Sequence, residues 1–248
     1  MCPVNKTVYI VVPGTWSAET GWHSKGGDFF ESLKTAVDQK TSSVMTYYWS
    51  GNNNHKSREY AAQGLVNLIL SFPEECEIIL ITHSHGSNVG ILASQLLSNN
   101  KAMMNKIRAF FAFGTPIDPE SYFPDMNVIY HFYNFFSYSD FVQTVLGTFQ
   151  RVYREHDRIA NISVTVNSAQ PNHDTINHHL IAKALPNIHE YLPTFDFSKA
   201  SNIAFFSNKN PEYYIENNRD ELLEEDFYLT QNYNLVLQGR NNDNAIKK

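Results

Sequence analysis

The sequence predicts a three-layer α/β/α sandwich built on a mostly parallel sheet. Short apolar runs rich in β-branched residues alternate with amphipathic helical stretches along most of the chain, as in a series of right-handed βαβ units. The apolar residues of each run are consecutive rather than alternate, which is typical of strands that helices cover on both faces. The 248 residues, 42% of them hydrophobic, suit one large domain of this kind.

The N-terminal part of the chain supplies two strands and two helices. The β-branched run at 7–12 (TVYIVV) predicts the first strand, and the run at 44–49 (VMTYYW) predicts the second. Between them, apolar residues at helical spacing predict a helix over 27–37. A second helix is predicted over 57–70, with Ser57 as its N-cap.

The middle of the chain continues the same alternation. The run EIILIT at 77–82 predicts a buried strand that leads into the tetrapeptide HSHG, and 87–97 predicts the helix that follows. Further strands are predicted at 107–113, 127–136 and 161–166, and a further helix over 174–185. We therefore expect one domain over residues 1–192.

The C-terminal residues 193–248 differ from the rest of the chain in composition. They are Asn-rich and acidic (SNKNPEYYIENNRDELLEED) and show no clear helical or strand period. We expect an appendage packed on the same domain, with a strand or helix at its rim and a loose end.

Ser84 stands at the junction between a predicted buried strand and a predicted helix. Such a turn lifts the hydroxyl above the carboxyl edge of the sheet, where open α/β sheets bind ligands. It also directs the first N–H groups of the helix toward the same place. Thr82 and Gly86, two positions before and after the serine, are small enough to relieve crowding in a strained turn. These properties predict a nucleophilic serine.

The segment Thr82-His83-Ser84-His85-Gly86 approximates the G-x-S-x-G elbow, and over about residues 7–192 the chain resembles the α/β-hydrolase family, particularly its lipases and esterases. It departs from that motif at Thr82, which is bulkier than glycine and implies an adjusted turn. The resemblance implies a hydrolase that cleaves carboxylic esters through a Ser-His-Asp triad and an acyl-enzyme. Thioester or amide cleavage, acyl transfer, and a catalytically inactive binding module are the alternatives.

The resemblance places the acid and the base after the nucleophile, in the order Ser, Asp, His. Asp140 ends a polar Ser-x-x-Asp turn just past the strand VIYHFYNFF, where this family usually has its acid. Three histidines occupy the region of the base. His173 falls in a loop ahead of Asp174, the predicted cap of the next helix, and is the preferred base. His178 and His179 are the alternatives.

Two backbone amides are expected to form an oxyanion hole. One belongs to His85, the residue after the nucleophile. The resemblance assigns the other to the loop after the first strand, PGTW, in which Thr15 is the preferred donor and Trp16 the alternate. Gly14 permits the backbone conformation that directs this amide.

The segment 114–126, where many lipases of this family insert a helical lid, contains three prolines. It leaves little room for a helix, so we expect little or no lid and an open, shallow site. A lid drawn from 22–30 or 146–158 is the alternative. An open site favours soluble or peripheral acyl esters over interfacial activation. Trp16, Trp22 and the pair Phe29-Phe30 either border the acyl pocket or pack in the core.

Charge and composition limit the classes of molecule that the chain is expected to bind. A formal net charge of −6 without basic clusters argues against nucleic acid, so the expected partner is a small acyl ester or a lipid. No apolar run is long enough to span a bilayer. No leader is evident, which predicts a cytoplasmic location, with leaderless secretion as the alternative. Cys2 and Cys76 are too few for a disulfide framework.

The histidines on either side of Ser84 raise the question of a metal site. His83 and His85 are two residues apart on a tight turn, so their side chains should point in opposing directions. No HExxH or CxxC motif completes a ligand set. We therefore expect neither a metal nor another cofactor.

Overall fold

The computed structural model describes residues 7–17, 21–99, 103–104, 106–191, 201–206 and 212–217. Its strands are β1 (Thr7–Val12), β2 (Ser42–Thr46), β3 (Glu77–His83), β4 (Ile107–Phe113), β5 (Ile129–Phe136), β6 (Ile159–Val166), β7 (Ser201–Phe206) and β8 (Glu212–Asn217). Its helices are α1 (Asp28–Ala36), α2 (His55–Leu70), α3 (His85–Leu97), α4 (Phe141–Leu146) and α5 (His179–Tyr191).

The strands form one eight-stranded sheet in the order β2-β1-β3-β4-β5-β6-β7-β8. All neighbouring pairs from β2 to β7 are parallel, and only β8 runs antiparallel to its neighbour β7. The prediction of a mostly parallel sheet is confirmed. β3 is the third of the eight strands, between β1 and β4, so the turn that carries Ser84 opens at the carboxyl edge of an interior strand.

Helices cover both faces of the sheet. On one face α1 packs beside α5, and Phe29, Leu33 and Ile181 join the core that this pair encloses. On the other face α2 packs beside α3, and Leu65 and Val89 join a second core. The strands are buried from both sides, which explains their consecutive apolar residues.

Helix α2 begins two residues earlier than predicted, at His55. Asn54 is its N-cap, because the Asn54 side chain accepts a hydrogen bond from the Ser57 N–H at 2.9 Å. The assignment of the cap to Ser57 was therefore wrong. Both residue types cap helices well, and the sequence alone did not separate them.

The start predicted for α5 was also wrong, because Asp174 does not cap this helix. The Asn172 side chain accepts from the N–H groups of Asp174 and Thr175 at 3.1 and 3.0 Å, which folds these residues into a turn. The helix begins only at His179. The loop that carries His173 is consequently longer than predicted.

Three elements, α4, β7 and β8, were not given bounds from the sequence. Helix α4, six residues long, follows Asp140 directly, whereas residues 114–126 contain no helix. In the C-terminal appendage, β7 and β8 extend the sheet, and the other residues of 193–248 lie outside the described part of the chain.

Cys76, just before β3, is buried and disulfide-bonded. No helix in the described ranges is long and apolar enough to cross a membrane.

Candidate active site

Ser84 occupies a strained turn between β3 and α3. Its backbone has φ 53° and ψ −133°, a conformation that residues with a Cβ seldom adopt. A hydrogen bond from the Ser84 N–H to the Phe113 carbonyl, 2.9 Å long, ties the turn to the end of β4. Helix α3 begins at His85, two residues earlier than predicted, so the serine sits at its N-terminus.

Two glycines let the chain pack tightly around this turn. A Cβ on Gly86 would lie 2.4 Å from the Pro13 carbonyl oxygen, and a Cβ on Gly14 would lie 2.8 Å from the Ser84 Cβ. Both distances are shorter than any ordinary contact. The elbow and the loop after β1 therefore touch backbone to backbone, and a side chain at either glycine would push them apart.

Thr82 occupies the position at which the elbow motif has glycine. Its side chain is fully buried, and its hydroxyl lies 3.1 Å from the Phe111 carbonyl oxygen and 2.8 Å from the Ser87 hydroxyl. Since the carbonyl can only accept, the Thr82 hydroxyl donates to it and accepts from Ser87. The threonine thus satisfies its polar group internally and joins the elbow to α3.

Asp140 and His173 are in hydrogen-bond contact. The Asp140 Oδ2 lies 2.8 Å from the His173 Nδ1, with the carboxylate fully buried and the imidazole 12% exposed. The other oxygen, Oδ1, accepts from the Gln143 N–H at 2.8 Å and so caps α4. Gly114 makes room for the pair, because a Cβ there would lie 2.7 Å from Asp140 Oδ2.

One cavity of about 380 Å³ is lined by three of the predicted site residues, whereas Asp140 and His85 do not line it. Its walls include Ser84, His173 and Thr15. His178 and His179 do not line it, and the His179 side chain borders a different depression beside α1. His173 is therefore the histidine that the geometry favours as the base, and the roles of all these residues stay predictions.

The two candidate amides of the loop after β1 differ in availability. The Trp16 N–H already donates to the Gly51 carbonyl at 3.0 Å. The Thr15 N–H has no acceptor among the described residues, and Thr15 lines the cavity. The His85 N–H is the first of α3 and has no acceptor within the helix. This arrangement favours Thr15 over Trp16 as the second donor to an oxyanion.

His83 holds the loop that carries His173, a role that the sequence did not suggest. The His83 Nε2 donates to the His173 carbonyl oxygen at 2.8 Å, and the two rings lie 4.6 Å apart. Burial, reinforced by the nearby His173, lowers the pKa of His83 to about 3. His83 is therefore a neutral hydrogen-bond donor at physiological pH and acts as a positioning residue.

Asn177 supports the same loop from its far side. With its amide oxygen turned toward Trp22, Asn177 accepts from the Trp22 Nε1 at 2.8 Å and donates to the Asp174 carbonyl at 2.7 Å. Trp22 in turn packs edge-on against His83, with 5.6 Å between ring centroids. Trp22 thus serves both as a cavity wall and as packing, the two possibilities that the sequence left open.

The buried state of His83 predicts acid sensitivity of the fold. Its pKa falls from 6.5 to about 3 on folding, so the unfolded chain binds more protons and stability declines as pH falls from 6.5 toward 3. At pH 4.5 the protonation of His83 in the unfolded chain lowers the free energy of unfolding by about 2–3 kcal/mol relative to its value at neutral pH. Urea unfolding at pH 7.0 and at pH 4.5 measures how far the free energy of unfolding falls between the two pH values. Because glutamine is not protonated in this range, we expect this fall to be smaller in His83→Gln than in the wild type by about the same 2–3 kcal/mol. Parallel losses in both proteins would contradict the assignment.

On the prediction that Asp140 is the acid of a Ser-His-Asp triad, Asp140→Asn should lower kcat by roughly 10⁴-fold. Asparagine can still accept from the Gln143 N–H and so preserve the cap of α4. Its NH₂ group, however, cannot accept from the His173 Nδ1–H, so the imidazole takes the tautomer that is unable to receive the serine proton. Steady-state kinetics measure the loss, and thermal unfolding is the control for intact folding. A variant that kept most of the wild-type kcat would remove Asp140 from the mechanism.

No family model matches the chain, and no curated protein matches it. Among solved structures, it is similar to a cutinase-like protein from Cryptococcus sp., at 18% identity and a TM-score of 0.36, over 46% of this chain and 55% of that one. It is also similar to the Trichoderma reesei cutinase, at 24% identity and a TM-score of 0.36, over 46% of this chain and 53% of that one. The match thus spans about half the length of these cutinases.

A third similar structure is a type II thioesterase from the yersiniabactin biosynthetic pathway, at 11% identity and a TM-score of 0.43, over 79% of this chain and 96% of that one. At these identities and TM-scores the similarities assign no functional role to any residue of this chain. The fold is instead identified from the strand order and helix layers of the chain itself. A parallel sheet between two helix layers, with Ser84 on a strained strand-to-helix turn at the carboxyl end of the interior strand β3, defines the α/β-hydrolase fold, and this chain has that fold.

Proposed function

We propose that this chain is a serine hydrolase that cleaves carboxylic esters through an acyl-enzyme. The observation that carries the proposal is the hydrogen bond between Asp140 and His173, where His173 lines the cavity that Ser84 also lines. A buried carboxylate bonded to Nδ1 leaves the Nε2 of the imidazole as the proton acceptor. The presence of Ser84 and His173 in the walls of one cavity supports the proposal that this histidine is the base that activates the serine.

In the proposed reaction the Ser84 oxygen attacks the ester carbonyl carbon while His173 Nε2 takes the serine proton. The carbonyl oxygen becomes an oxyanion, which the Thr15 and His85 amides stabilise. As the carbon–oxygen bond of the ester breaks, His173 returns that proton to the departing alcohol. A water molecule then attacks the acyl-enzyme by the same route, which releases the acid and restores Ser84. Asp140 stabilises the imidazolium in both steps.

The cavity walls suit an apolar acyl group. Trp16 and Trp22 contribute indole rings to the lining, and Val142 and Leu146 of α4 contribute aliphatic side chains. Trp16 is largely exposed although it lines the cavity, and Phe141, next to Val142 in the sequence, is also largely exposed. Apolar side chains that continue from the cavity onto the surface favour an ester with a hydrocarbon chain that extends out of the site.

The ester class is tested with three substrates that share one acyl group. p-Nitrophenyl butyrate, a butyryl thioester and the butyryl p-nitroanilide should be hydrolysed with kcat/KM values in which the oxygen ester ranks first. The Ser84→Ala protein gives the background for each. A thioester that ranks first would replace the proposal with a thioesterase, and no turnover of any of the three would favour the binding module.

The open mouth predicts ordinary saturation kinetics. Residues 114–126 contain no helix, and α4 is only six residues long. Hydrolysis of a short triglyceride should therefore rise smoothly as its concentration passes the solubility limit. A lag followed by a sharp rise above that limit would show that α4 and residues 146–158 act as a lid.

A further inference from the structure

A second cavity of about 300 Å³ lies beside the first, and the two share Leu146 in their walls. Arg58, His85 and Tyr122 also line it. We propose that this second cavity binds an anionic oxygen group, a carboxylate or a phosphate, carried by the substrate. The identification of the anion's carrier rests on the proposed esterase function, whereas the binding of the anion itself does not.

Arg58 is a buried cation without a carboxylate partner in the described part of the chain. It is only 9% exposed, and the ion pairs of the described residues do not include it. Its Nε donates to the Tyr122 hydroxyl at 2.9 Å and its Nη1 to the Asn53 side-chain oxygen at 3.2 Å. Both partners are neutral. A guanidinium is always charged, and burial without a counter-charge is costly, so the cavity favours an anion beside it.

The orientation of Arg58 is fixed by a chain of polar groups. Because Arg58 can only donate, the Tyr122 oxygen accepts from it, and the same hydroxyl forms a hydrogen bond with the His55 Nδ1 at 2.6 Å. The His55 Nε2 then faces the Glu59 carboxylate at 3.3 Å. The Nη2 group of Arg58 has no hydrogen-bond partner among the described residues and remains available to a ligand. Tyr122 and His55 are thus positioning residues for the guanidinium.

The side chain of His85 supplies a second donor. Asn88 Nδ2 donates to the Pro116 carbonyl at 3.2 Å, which fixes its amide orientation, and the same nitrogen lies 3.1 Å from the His85 Nδ1. Nδ1 therefore accepts, and the proton of His85 is on Nε2. That Nε2 is buried without a partner among the described residues. Burial and the charge of Arg58 lower the pKa of His85 to about 4, so the ring is neutral.

The cavity also contains one carboxylate, that of Asp118. Asp118 is partly exposed, and its Oδ1 accepts from the Glu120 N–H at 3.2 Å. It lies too far from Arg58 to form an ion pair in the described structure. Solvent screens an exposed charge more than a buried one. The buried Arg58 and the unpartnered His85 Nε2–H therefore outweigh Asp118 in the potential that an anion meets.

The position of His85 links this cavity to the proposed reaction. Its backbone N–H is the predicted oxyanion donor, and its side chain lines the second cavity. Since the two cavities also share Leu146, a substrate with its reacting carbonyl at Ser84 can extend from the first cavity toward the second. This places the substrate among esters that carry a carboxylate or phosphate near the ester group.

Binding is tested directly on the Ser84→Ala protein, which requires no turnover. Inorganic phosphate and glutarate are titrated at constant ionic strength while the ¹⁵N resonance of the His85 Nε2 is followed. We expect at least one of the two anions to shift this resonance until binding saturates. The anion that causes the shift shows whether the site prefers a phosphate or a carboxylate. The additional change Arg58→Gln should weaken binding by about tenfold or more. The matched change Lys56→Gln removes a charge from the same helix outside the cavity and should leave the affinity unaltered.

An absence of saturable binding by both anions, or equal affinities with and without Arg58, would overturn the proposal. Arg58→Lys provides a second variant that keeps the charge but loses the planar fork, and it should bind with reduced affinity. Saturable anion binding together with no turnover of any ester would uphold the anion site and reject the proposed function.

The carrier of the anion is tested by kinetics on the otherwise unaltered enzyme. Two acidic esters, one with a carboxylate on the acyl side and one with a carboxylate on the alcohol side, are each compared with a neutral ester of equal length. For each pair, kcat/KM of the acidic ester is divided by kcat/KM of the neutral ester. In Arg58→Gln this ratio should be about tenfold or more lower than in the wild type for at least one pair. It should not fall in Lys56→Gln. Unchanged ratios for both pairs would show that the anion is not part of the substrate.

Discussion

Ser84→Ala should lower kcat/KM for short p-nitrophenyl esters by at least roughly 10⁴-fold. Alanine removes only the hydroxyl, so the nucleophile of the acyl-enzyme route is lost while the turn is retained. The Ser84 N–H bond to the Phe113 carbonyl does not involve the side chain. Serine and alanine both carry a Cβ, so the strain at φ 53° is the same in both proteins.

A matched control for this variant lies on the same helix. Ser94 is also a fully buried serine of α3; its hydroxyl donates to the Ile91 carbonyl at 2.7 Å, and Ser94 does not line the cavity. Ser94→Ala should reduce stability and leave kcat/KM near the wild-type value. Activity that survives in Ser84→Ala, or that disappears equally in both variants, would contradict the assignment of the nucleophile.

His173→Ala should produce a loss comparable to that of Ser84→Ala, again roughly 10⁴-fold or more. The imidazole both accepts the serine proton and delivers it to the departing alcohol, so neither half of the reaction proceeds efficiently without it. The double variant Ser84→Ala/His173→Ala should be scarcely slower than either single variant, because residues that act as one unit show non-additive losses. Esterase kinetics on the purified proteins measure all three.

His178→Ala and His179→Ala are the controls for the choice of base. Their rings stack on each other 4.2 Å apart and lie outside the cavity that contains Ser84. Each variant should keep kcat/KM close to that of the wild type. Near-full activity in His173→Ala, combined with a large loss in His178→Ala or His179→Ala, would transfer the role of base to one of those residues.

The elements around Ser84 were predictable because their signals are local. The run EIILIT, the small residues Thr82 and Gly86, and the apolar face of the next helix lie within about twenty residues of one another, and the structure has β3, the elbow and α3 in that order. Strand β4 has the bounds predicted for it. Fully buried strands impose consecutive apolar residues, which makes this pattern easy to read.

The base could not be settled from the sequence because its position depends on a loop that local propensity describes poorly. His173 reaches Asp140 only because the Asn172 turn delays the start of α5 until His179. An asparagine turn and an aspartate cap have similar sequence signals. The separation of His173 from the other two histidines therefore required the three-dimensional arrangement.

The supporting residues were hidden for a different reason. His83, Asn177 and Arg58 act through partners that are far away in the sequence, such as the His173 carbonyl, the Trp22 indole and the Tyr122 hydroxyl. Histidine, asparagine and arginine occur most often on protein surfaces or as satisfied buried groups. Nothing in their spacing marks them, so only the folded chain reveals what they contact.

The central claim is that Ser84 is an activated nucleophile, and covalent labelling with a fluorophosphonate tests it most directly. The reagent phosphonylates a serine only when a base withdraws the hydroxyl proton. We expect one adduct per chain, located on Ser84 by peptide mass spectrometry, and its loss in Ser84→Ala and in His173→Ala. An unlabelled wild-type protein, or an adduct on any other residue, would contradict this assignment.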